Sequence, residues 1–151
     1  MFVPAIPDTL FGLFLLLPVP LKAKILLVDD HDVVRKGIRA HLDGRCEVCA
    51  EAVNGQEAVE KAAKFEPDII LMDISMPLMN GLEAIRQIRK LKIPSKIVVL
   101  SMHETPQVAK SARDAGADAC LTKTAGTAQL LRTIDELLQS KKSSGPANHS
   151  H

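Results

Sequence analysis

Four apolar runs of the sequence end in side chains that could do chemistry together. These side chains are three carboxylates, one hydroxyl and one amine, from Asp29, Asp30, Asp73, Ser101 and Lys123. If the runs are strands of a parallel sheet, their carboxyl ends lie at one edge, where ligands bind in open α/β folds. We therefore predict that the five side chains line one shallow site.

The chemistry that these residue types favour is phosphoryl transfer assisted by Mg²⁺. Three carboxylates held close together repel one another, and a divalent cation relieves the repulsion. Mg²⁺ suits such a site because it takes a few carboxylates and keeps several waters. Asp73, at the middle of the group, could act as the nucleophile. Mg²⁺, the Lys123 ammonium and the Ser101 hydroxyl would each neutralise one phosphoryl oxygen.

Each of these residues also has a structural interpretation. The Asp-Asp pair could cap a helix, Ser101 could form a turn, and Lys123 could be a solvated surface charge. All of these interpretations would have to hold together at four matched strand ends, which favours the site. His31 and His103 flank it, and we expect both to be solvated loop residues because Mg²⁺ prefers oxygen ligands.

The elements that must position the site alternate along the chain. Apolar residues recur every three or four positions between the strand-like runs, as on one face of a helix. Continuous apolar strands separated by helices indicate a (βα)₅ fold with a parallel sheet covered on both faces. The predicted strands are Ile25–Val28, Cys46–Val53, Ile69–Met72, Ile97–Leu100 and Ala119–Leu121.

Local signals mark several ends of these helices. Two helix starts fit a capping box, and a third fits a threonine cap followed by proline at the first helical position. Gly116 fits the residue that ends a helix. The three starts are Asn54 with Glu57, Asn80 with Glu83, and Thr105 with Pro106.

Composition limits the size of the fold and its partners. The chain has 151 residues, 19 basic and 18 acidic side chains, and neither Trp nor Tyr. One domain with an aliphatic core is expected, with no surface for nucleic acid or anionic membrane. Cys46 and Cys49 have a spacing found in metal and redox sites. Because residues three apart on a strand point to opposite faces, we expect two reduced structural thiols instead.

The two ends of the chain differ from its middle. Residues 1–21 are apolar, contain four prolines and precede the first basic residue, Lys22. They match neither a signal peptide nor a membrane span. We expect an extension outside the fold, for which a membrane-surface contact, an upstream start and a disordered tail remain alternatives. The domain is predicted over residues 22–140, and residues 141–151 are predicted to be a flexible polar tail.

From about Lys24 to Leu138 the sequence resembles the response-regulator receiver family, which is CheY-like. The likeness is carried by the runs Ile25–His31 and Asp73–Gly81, followed by Ser101 and Lys123. Each motif alone is weak, but all four in this order and spacing are specific. The resemblance implies a flavodoxin-like, doubly wound sheet with strand order 2-1-3-4-5.

The resemblance also implies roles for the site residues. Asp73 would be the phosphoacceptor, and Asp30 and Asp73 would bind Mg²⁺ directly. Asp29 would act partly through water, and the backbone carbonyl of Ser75 would be the third protein ligand. Ser101 would move towards the phosphoryl group, and Lys123 would pair with it.

Three features set the chain apart within that family, and one of them is the apolar extension over residues 1–21. Its opening, with Val33–Gly37 after the Asp-Asp-His motif, is most similar to the subgroup that usually carries a helix-turn-helix output domain. The chain ends before such a domain could fit. Cys120 stands where the family often has Tyr or Phe, whose rotation accompanies activation, and a cysteine cannot make that large packing change.

These observations predict a cytoplasmic signalling module and not an enzyme. A histidine kinase or phosphotransfer protein would phosphorylate it, and residues 106–138 would then present a face to a downstream protein.

The alternative is a DNA-binding transcription regulator that lacks its output domain. A scaffold that works without phosphorylation has no need for the complete acidic set. A phosphatase of the aspartyl-nucleophile type would need a second aspartate at position 75, which is serine.

Overall fold

A computed structural model describes residues 22–103 and 105–143 of the chain. Five parallel strands form one sheet in the order β2-β1-β3-β4-β5. The strands are β1 Ala23–Val28, β2 Cys46–Ala52, β3 Ile69–Asp73, β4 Lys96–Ser101 and β5 Ala119–Thr122. The helices are α1 Asp32–Leu42, α2 Gly55–Phe65, α3 Gly81–Lys90, α4 Pro106–Ala115 and α5 Thr127–Ser143. The predicted (βα)₅ fold and its strand order are confirmed.

The three central strands are buried on both faces of the sheet. Every residue of β3 is buried, as are the last four of β1 and the last five of β4. This is why these strands are continuous apolar runs and do not alternate between apolar and polar residues. The strand ends are therefore held by a rigid aliphatic core.

Helices cover the two faces of the sheet and divide the core in two. One half packs under α2, α3 and α4 and includes Leu26, Ile70, Met72, Val99, Ile85 and Ile88. The other half packs under α1 and α5 and includes Ile25, Leu27, Leu71, Val98, Leu42 and Ile134. Successive strand residues alternate between these halves, as the pleat of a strand requires.

The predicted helix caps are present. Asn54 accepts a hydrogen bond from the Glu57 amide at 2.8 Å, and Asn80 accepts one from Glu83 at 3.0 Å. The hydroxyl of Thr105 caps α4 in the same way. Gly116 ends α4 with a φ of +119°, a conformation that residues with a side chain rarely adopt.

An irregularity in β2 separates its two cysteines. The pairing with β1 passes from Val48 directly to Ala50, so Cys49 is the extra residue of a bulge. Cys46 packs into the core half under α1 and α5, while the Cys49 thiol donates to the Ile25 carbonyl at 3.5 Å. Both thiols are free, and burial raises the pKa of each. Their contacts fit structural thiols, but the bulge at Cys49 interrupts the strand alternation on which the prediction was based.

The described part of the chain begins at Lys22 and ends in helix α5. Residues 1–21 and 144–151 lie outside the described residues, so the predicted extension and most of the predicted tail stay predictions. Helix α5 continues to Ser143, three residues beyond the predicted boundary at 140. Among the helices that the structure describes, none is long and apolar enough to cross a membrane.

Candidate functional site

Four parallel strands deliver the predicted site residues to one edge of the sheet. Asp29 and Asp30 follow the end of β1, while Asp73 and Ser101 are the last residues of β3 and β4. Lys123 directly follows β5, and its amide donates to the Ser101 carbonyl at 2.7 Å. The strand ends are in register, so the side chains meet as the parallel topology predicts.

Lys123 connects two of the carboxylates. Its Nζ lies 2.7 Å from Asp29 Oδ2 and 3.1 Å from Asp73 Oδ1. Burial alone would lower the pKa of this ammonium, but the hydrogen bonds and charges of the two carboxylates outweigh it and raise the pKa. Lys123 therefore stays protonated and compensates part of the negative charge.

Asp73 has an unsatisfied oxygen. The residue is 4% exposed, and among the described residues no group donates a hydrogen bond to its buried Oδ2. Burial raises the pKa of Asp73, the charge of Asp29 raises it further, and Lys123 offsets part of the rise. A buried carboxylate oxygen without a partner costs free energy, so its presence calls for an explanation by function.

The remaining acidic residues lie beside this oxygen. Asp29, Asp30, His31 and Asp73 each offer one ligand atom, and these atoms lie within 4.8 Å of one another. Three carboxylates and one ammonium leave a net negative charge, and hard oxygen donors of this kind match the preference of Mg²⁺. The residues present thus fit the cation that the sequence predicted.

His31 is closer to the carboxylates than the sequence suggested. Its side chain is 63% exposed, as expected of a loop residue, but Nδ1 lies 3.0 Å from Asp29 Oδ1 and 3.1 Å from Asp30 Oδ1. The cause is an Asx turn in which the His31 amide donates to Asp29 Oδ1 at 2.8 Å. The Asp-Asp-His spacing was the signal that could have predicted this turn.

Ser101 lines the site, but its hydroxyl is hydrogen-bonded to the backbone of His103. Its hydroxyl donates to the His103 carbonyl at 2.9 Å and accepts from the His103 amide at 3.2 Å. A cavity of about 280 Å³ lies next to it and is shared by Asp73, Ser75 and Lys123. The predicted residues Ser75 and Ser101 thus lie at the site together with both partners of the central ion pair.

Two further residues that sequence reasoning did not assign to the site support it. A side chain at Gly81 would overlap with the carbonyl of Asp73, and the Gly81 amide donates to the Ile74 carbonyl at 2.8 Å. Arg35 of α1 donates a hydrogen bond to the carbonyl of Asp29. Arg35 lies six residues from Asp29 and Gly81 seven from Ile74, so each contact joins the start of a helix to the loop before it and depends on how that loop folds.

The family model that matches the chain is that of the response regulator receiver domain. It covers residues 25–135, which include every residue of the site. The chain belongs to this family. The predicted resemblance to the receiver family is thereby confirmed.

Known receiver-containing proteins agree with this assignment. The receiver domain is 39% identical over 114 residues to the response regulator GacA of Pseudomonas syringae pv. syringae, covering 74% of this chain and 53% of GacA. It is 38% identical over 118 residues to the transcriptional regulatory protein YdfI of Bacillus subtilis, covering 77% of this chain and 55% of YdfI. The chain spans about half the length of these curated relatives.

A solved structure supports the same family assignment. The crystal structure of a LuxR-family two-component response regulator from Aurantimonas sp. SI85-9A1 matches with a TM-score of 0.75 and 36% identity, covering 79% of this chain and 86% of that one. The predicted likeness to regulators of the helix-turn-helix subgroup is confirmed by these relatives. As a receiver domain the chain is a two-component signalling module, and receiver domains bind Mg²⁺ at an acidic pocket such as this one.

Proposed function

We propose that Asp73 accepts a phosphoryl group from a histidine kinase or phosphotransfer protein, with Mg²⁺ held by Asp29, Asp30, Asp73 and the backbone carbonyl of Ser75. The observation that carries the proposal is the buried Oδ2 of Asp73 beside the Lys123 ammonium, to which no group in the described part of the chain donates a hydrogen bond. An oxygen in this position is free to bind a cation or to attack phosphorus.

The transfer follows from the positions of these groups. A carboxylate oxygen of Asp73 attacks the phosphorus of a phosphohistidine on the donor and forms a new P–O bond. The P–N bond breaks, its electron pair stays on the histidine nitrogen, and that nitrogen takes up a proton. Lys123 is placed to neutralise an oxygen of the incoming group while it remains paired with Asp29. When bound, Mg²⁺ supplies charge neutralisation at the phosphoryl oxygens.

Ser101 would link the modified site to the output face. To reach a phosphoryl oxygen, its hydroxyl must leave the backbone of His103, which leads into α4. Helix α4 buries only Ala112 and Ala115, so it is lightly attached and its movement costs little. We propose that residues 106–138 change their binding to a downstream protein, with a coupling of ~1–3 kcal/mol.

Two versions of this function differ in the rest of the protein. In the first, the module acts alone in the cytoplasm and binds a protein target. In the second, it is the receiver part of a DNA-binding regulator, which is favoured by relatives about twice as long as the matched region. The reading frame that follows His151 in the gene distinguishes the two, because a helix-turn-helix domain there supports the second.

The proposal is tested by mass spectrometry of the intact protein. We expect acetyl phosphate with Mg²⁺ to add the mass of one phosphoryl group, and EDTA to prevent the addition. Asp73→Asn should abolish it, whereas Asp43→Asn, which changes an exposed aspartate at the end of α1, should not. A folded wild-type protein that binds Mg²⁺ but gains no mass would contradict the proposal and favour a scaffold.

A further inference from the structure

Arg35 contacts the backbone of the acidic site from helix α1. Its Nη1 donates a hydrogen bond to the carbonyl of Asp29 at 2.5 Å, and its side chain is only 11% exposed. A hydrogen bond from a charged donor is stronger than a neutral one. The guanidinium therefore holds this carbonyl firmly in one direction.

Two carboxylates fix the guanidinium from its other sides. Nε donates to Glu51 Oε1 at 2.7 Å, and Nη2 pairs with Asp32. Glu51 also binds Arg39, whose Nε lies 3.1 Å from Oε2. The two arginines and two carboxylates sum to no net charge, so Arg35 reaches the site without placing an uncompensated positive charge next to a cation site.

The main chain around Asp29 is fixed on both sides of the residue. Its amide donates to the Ala52 carbonyl at 3.0 Å, and its own carbonyl accepts from Arg35. That carbonyl shares a rigid peptide plane with the amide of Asp30. The direction of the carbonyl thus determines how the chain enters Asp30, and Arg35 acts on both aspartates of the pair.

We propose that Arg35 is a positioning residue for the divalent cation: by holding the Asp29 carbonyl, it keeps the Asp29 and Asp30 carboxylates aligned before the cation binds. The inference rests on the proposed Mg²⁺ site and adds a residue that does not touch the cation. Groups that orient metal ligands in this way commonly change affinity strongly when they are removed.

The test compares Mg²⁺ binding by calorimetry in three variants and the wild type. Arg35→Met removes all three hydrogen bonds, and we expect it to weaken Mg²⁺ binding roughly tenfold. Arg35→Lys keeps the charge but loses the planar fork of donors. Its Mg²⁺ affinity should therefore lie between that of the wild type and that of Arg35→Met. Arg39→Met is the matched control: it removes a charge from the same Glu51, makes no contact with Asp29, and should change affinity by less than about twofold.

A merely structural role would give a different result. If Arg35→Met lowers the unfolding temperature but binds Mg²⁺ as tightly as the wild type does, Arg35 only supports the fold and the proposal is wrong. If Arg35→Met does not fold, the Mg²⁺ affinity of Arg35→Lys is compared with that of the wild type at a temperature where the variant is folded. Equal affinities would then show that the proposal is wrong.

A second readout separates this inference from the proposed function. Initial rates with acetyl phosphate are measured against Mg²⁺ concentration. We expect the Arg35 variants to need more Mg²⁺ for half-maximal rate but to keep most of the rate at saturation, because Asp73 and Lys123 come from other strands. Wild-type protein that binds Mg²⁺ but takes no phosphoryl group would refute the proposed function, while the calorimetric comparison of Arg35 variants would stand.

Discussion

Lys123 is the residue that balances charge in the site when no cation is bound. Its ammonium contacts Asp29 at 2.7 Å and Asp73 at 3.1 Å, and all three side chains are nearly buried. Two buried carboxylates without a counter-ion are costly, since neither is well solvated. Lys123 therefore has a structural role in addition to the one proposed for it in phosphoryl transfer.

This role gives a prediction about stability. Replacing Lys123 by Met should lower the free energy of unfolding by ~3 kcal/mol in EDTA, because Asp29 and Asp73 lose their shared cation. Added Mg²⁺ should restore more stability to this variant than to the wild type, and urea unfolding measures both effects. Lys110→Met, which breaks an exposed pair with Asp114 in α4, is the control and should cost under about 0.5 kcal/mol.

The acidic residues of the site were predictable from the sequence, but their supporting contacts were not. Asp29, Asp30 and Asp73 each follow an apolar run, so the rule for parallel strand ends was enough to group them. The position of the Arg35 side chain depends on Glu51, which lies 16 residues away on strand β2. No local periodicity encodes such a pair, because it exists only after β1, β2 and α1 have packed together.

The loop between β3 and α3 is the element that supports Asp73. Gly81 begins α3, and the nearest atoms to a side chain placed there belong to Asp73 and Ile74. Helix α1 contains a contrasting glycine, Gly37, where such a side chain would meet no atom within 4 Å apart from its chain neighbours and the nearby backbone of its own helix. The two glycines are a natural pair for testing how tightly the loop is packed.

Alanine at these two positions should have opposite effects. Gly81→Ala should destabilise the protein by about 1–3 kcal/mol, since a buried backbone must move to make room. Gly37→Ala should stabilise it by about 0.5–1 kcal/mol, because alanine is the better helix former and space is free. Chemical denaturation measures both. A neutral or stabilising Gly81→Ala would show that the loop is looser than described.

Glu51 of β2 accepts hydrogen bonds from Arg35 and Arg39 of α1. The free energy that this contact contributes to folding therefore depends on pH. Hydrogen bonds from Arg39 lower the pKa of Glu51, burial opposes the effect, and Arg35 adds to the lowering. A carboxylate with a lowered pKa in the folded state contributes stability above its unfolded pKa. That contribution is lost as the pH falls through the folded-state pKa.

The expected result is a stability difference that disappears in acid. Near neutral pH, Glu51→Gln should lower the free energy of unfolding by about 1–2 kcal/mol, because the charged hydrogen bonds from Arg35 and Arg39 weaken. Below a pH of about 4.3, the unfolded value for glutamate, the gap to the wild type should shrink as the wild-type carboxylate protonates. Denaturation at several pH values checks this, and a gap that is constant with pH would contradict it.

At the level of elements, helix ends were easier to predict than strand irregularities. Asn54, Asn80 and Thr105 cap their helices because the donor lies three residues away in sequence. The bulge at Cys49 was not predicted, and it breaks the alternation on which the interpretation of the cysteines relied. A bulge depends on how β2 fits against β1, which the sequence of β2 alone does not specify.

At the scale of the whole molecule, the site and the proposed output face are connected through Ser101. The hydroxyl binds the backbone of His103, close to the start of α4 at Pro106. Cys120 on β5 packs beside the core half under α2, α3 and α4. Because its side chain is small, we expect the proposed coupling to depend on backbone movement and not on rotation of a large ring.

Hydrogen exchange tests that coupling. Beryllofluoride with Mg²⁺, used as a stable mimic of the phosphoryl group, should change amide protection in residues 106–138. Ser101→Ala should reduce this change severalfold while Asp73 still accepts a phosphoryl group, because the hydroxyl acts after transfer. Equal exchange changes in the variant and the wild type would contradict a role for Ser101 in the coupling.

The fold of the whole molecule was largely predictable, since five apolar runs and the helices between them define a (βα)₅ chain. The order of the strands came from the family likeness, because periodicity does not say which strands are neighbours. The curated relatives are about twice as long as the matched region, so the receiver residues alone do not predict which process the domain controls.

Chemical trapping identifies the residue that carries the phosphoryl group, which we propose to be Asp73 in the form of an acyl phosphate. Protein treated with acetyl phosphate and Mg²⁺ is reduced with borohydride, which converts an aspartyl phosphate to homoserine, and its peptides are sequenced by mass spectrometry. We predict homoserine at position 73 alone, and none when Mg²⁺ is omitted. Homoserine at position 29 or 30, or none at any position in protein that has gained a phosphoryl mass, would contradict the claim.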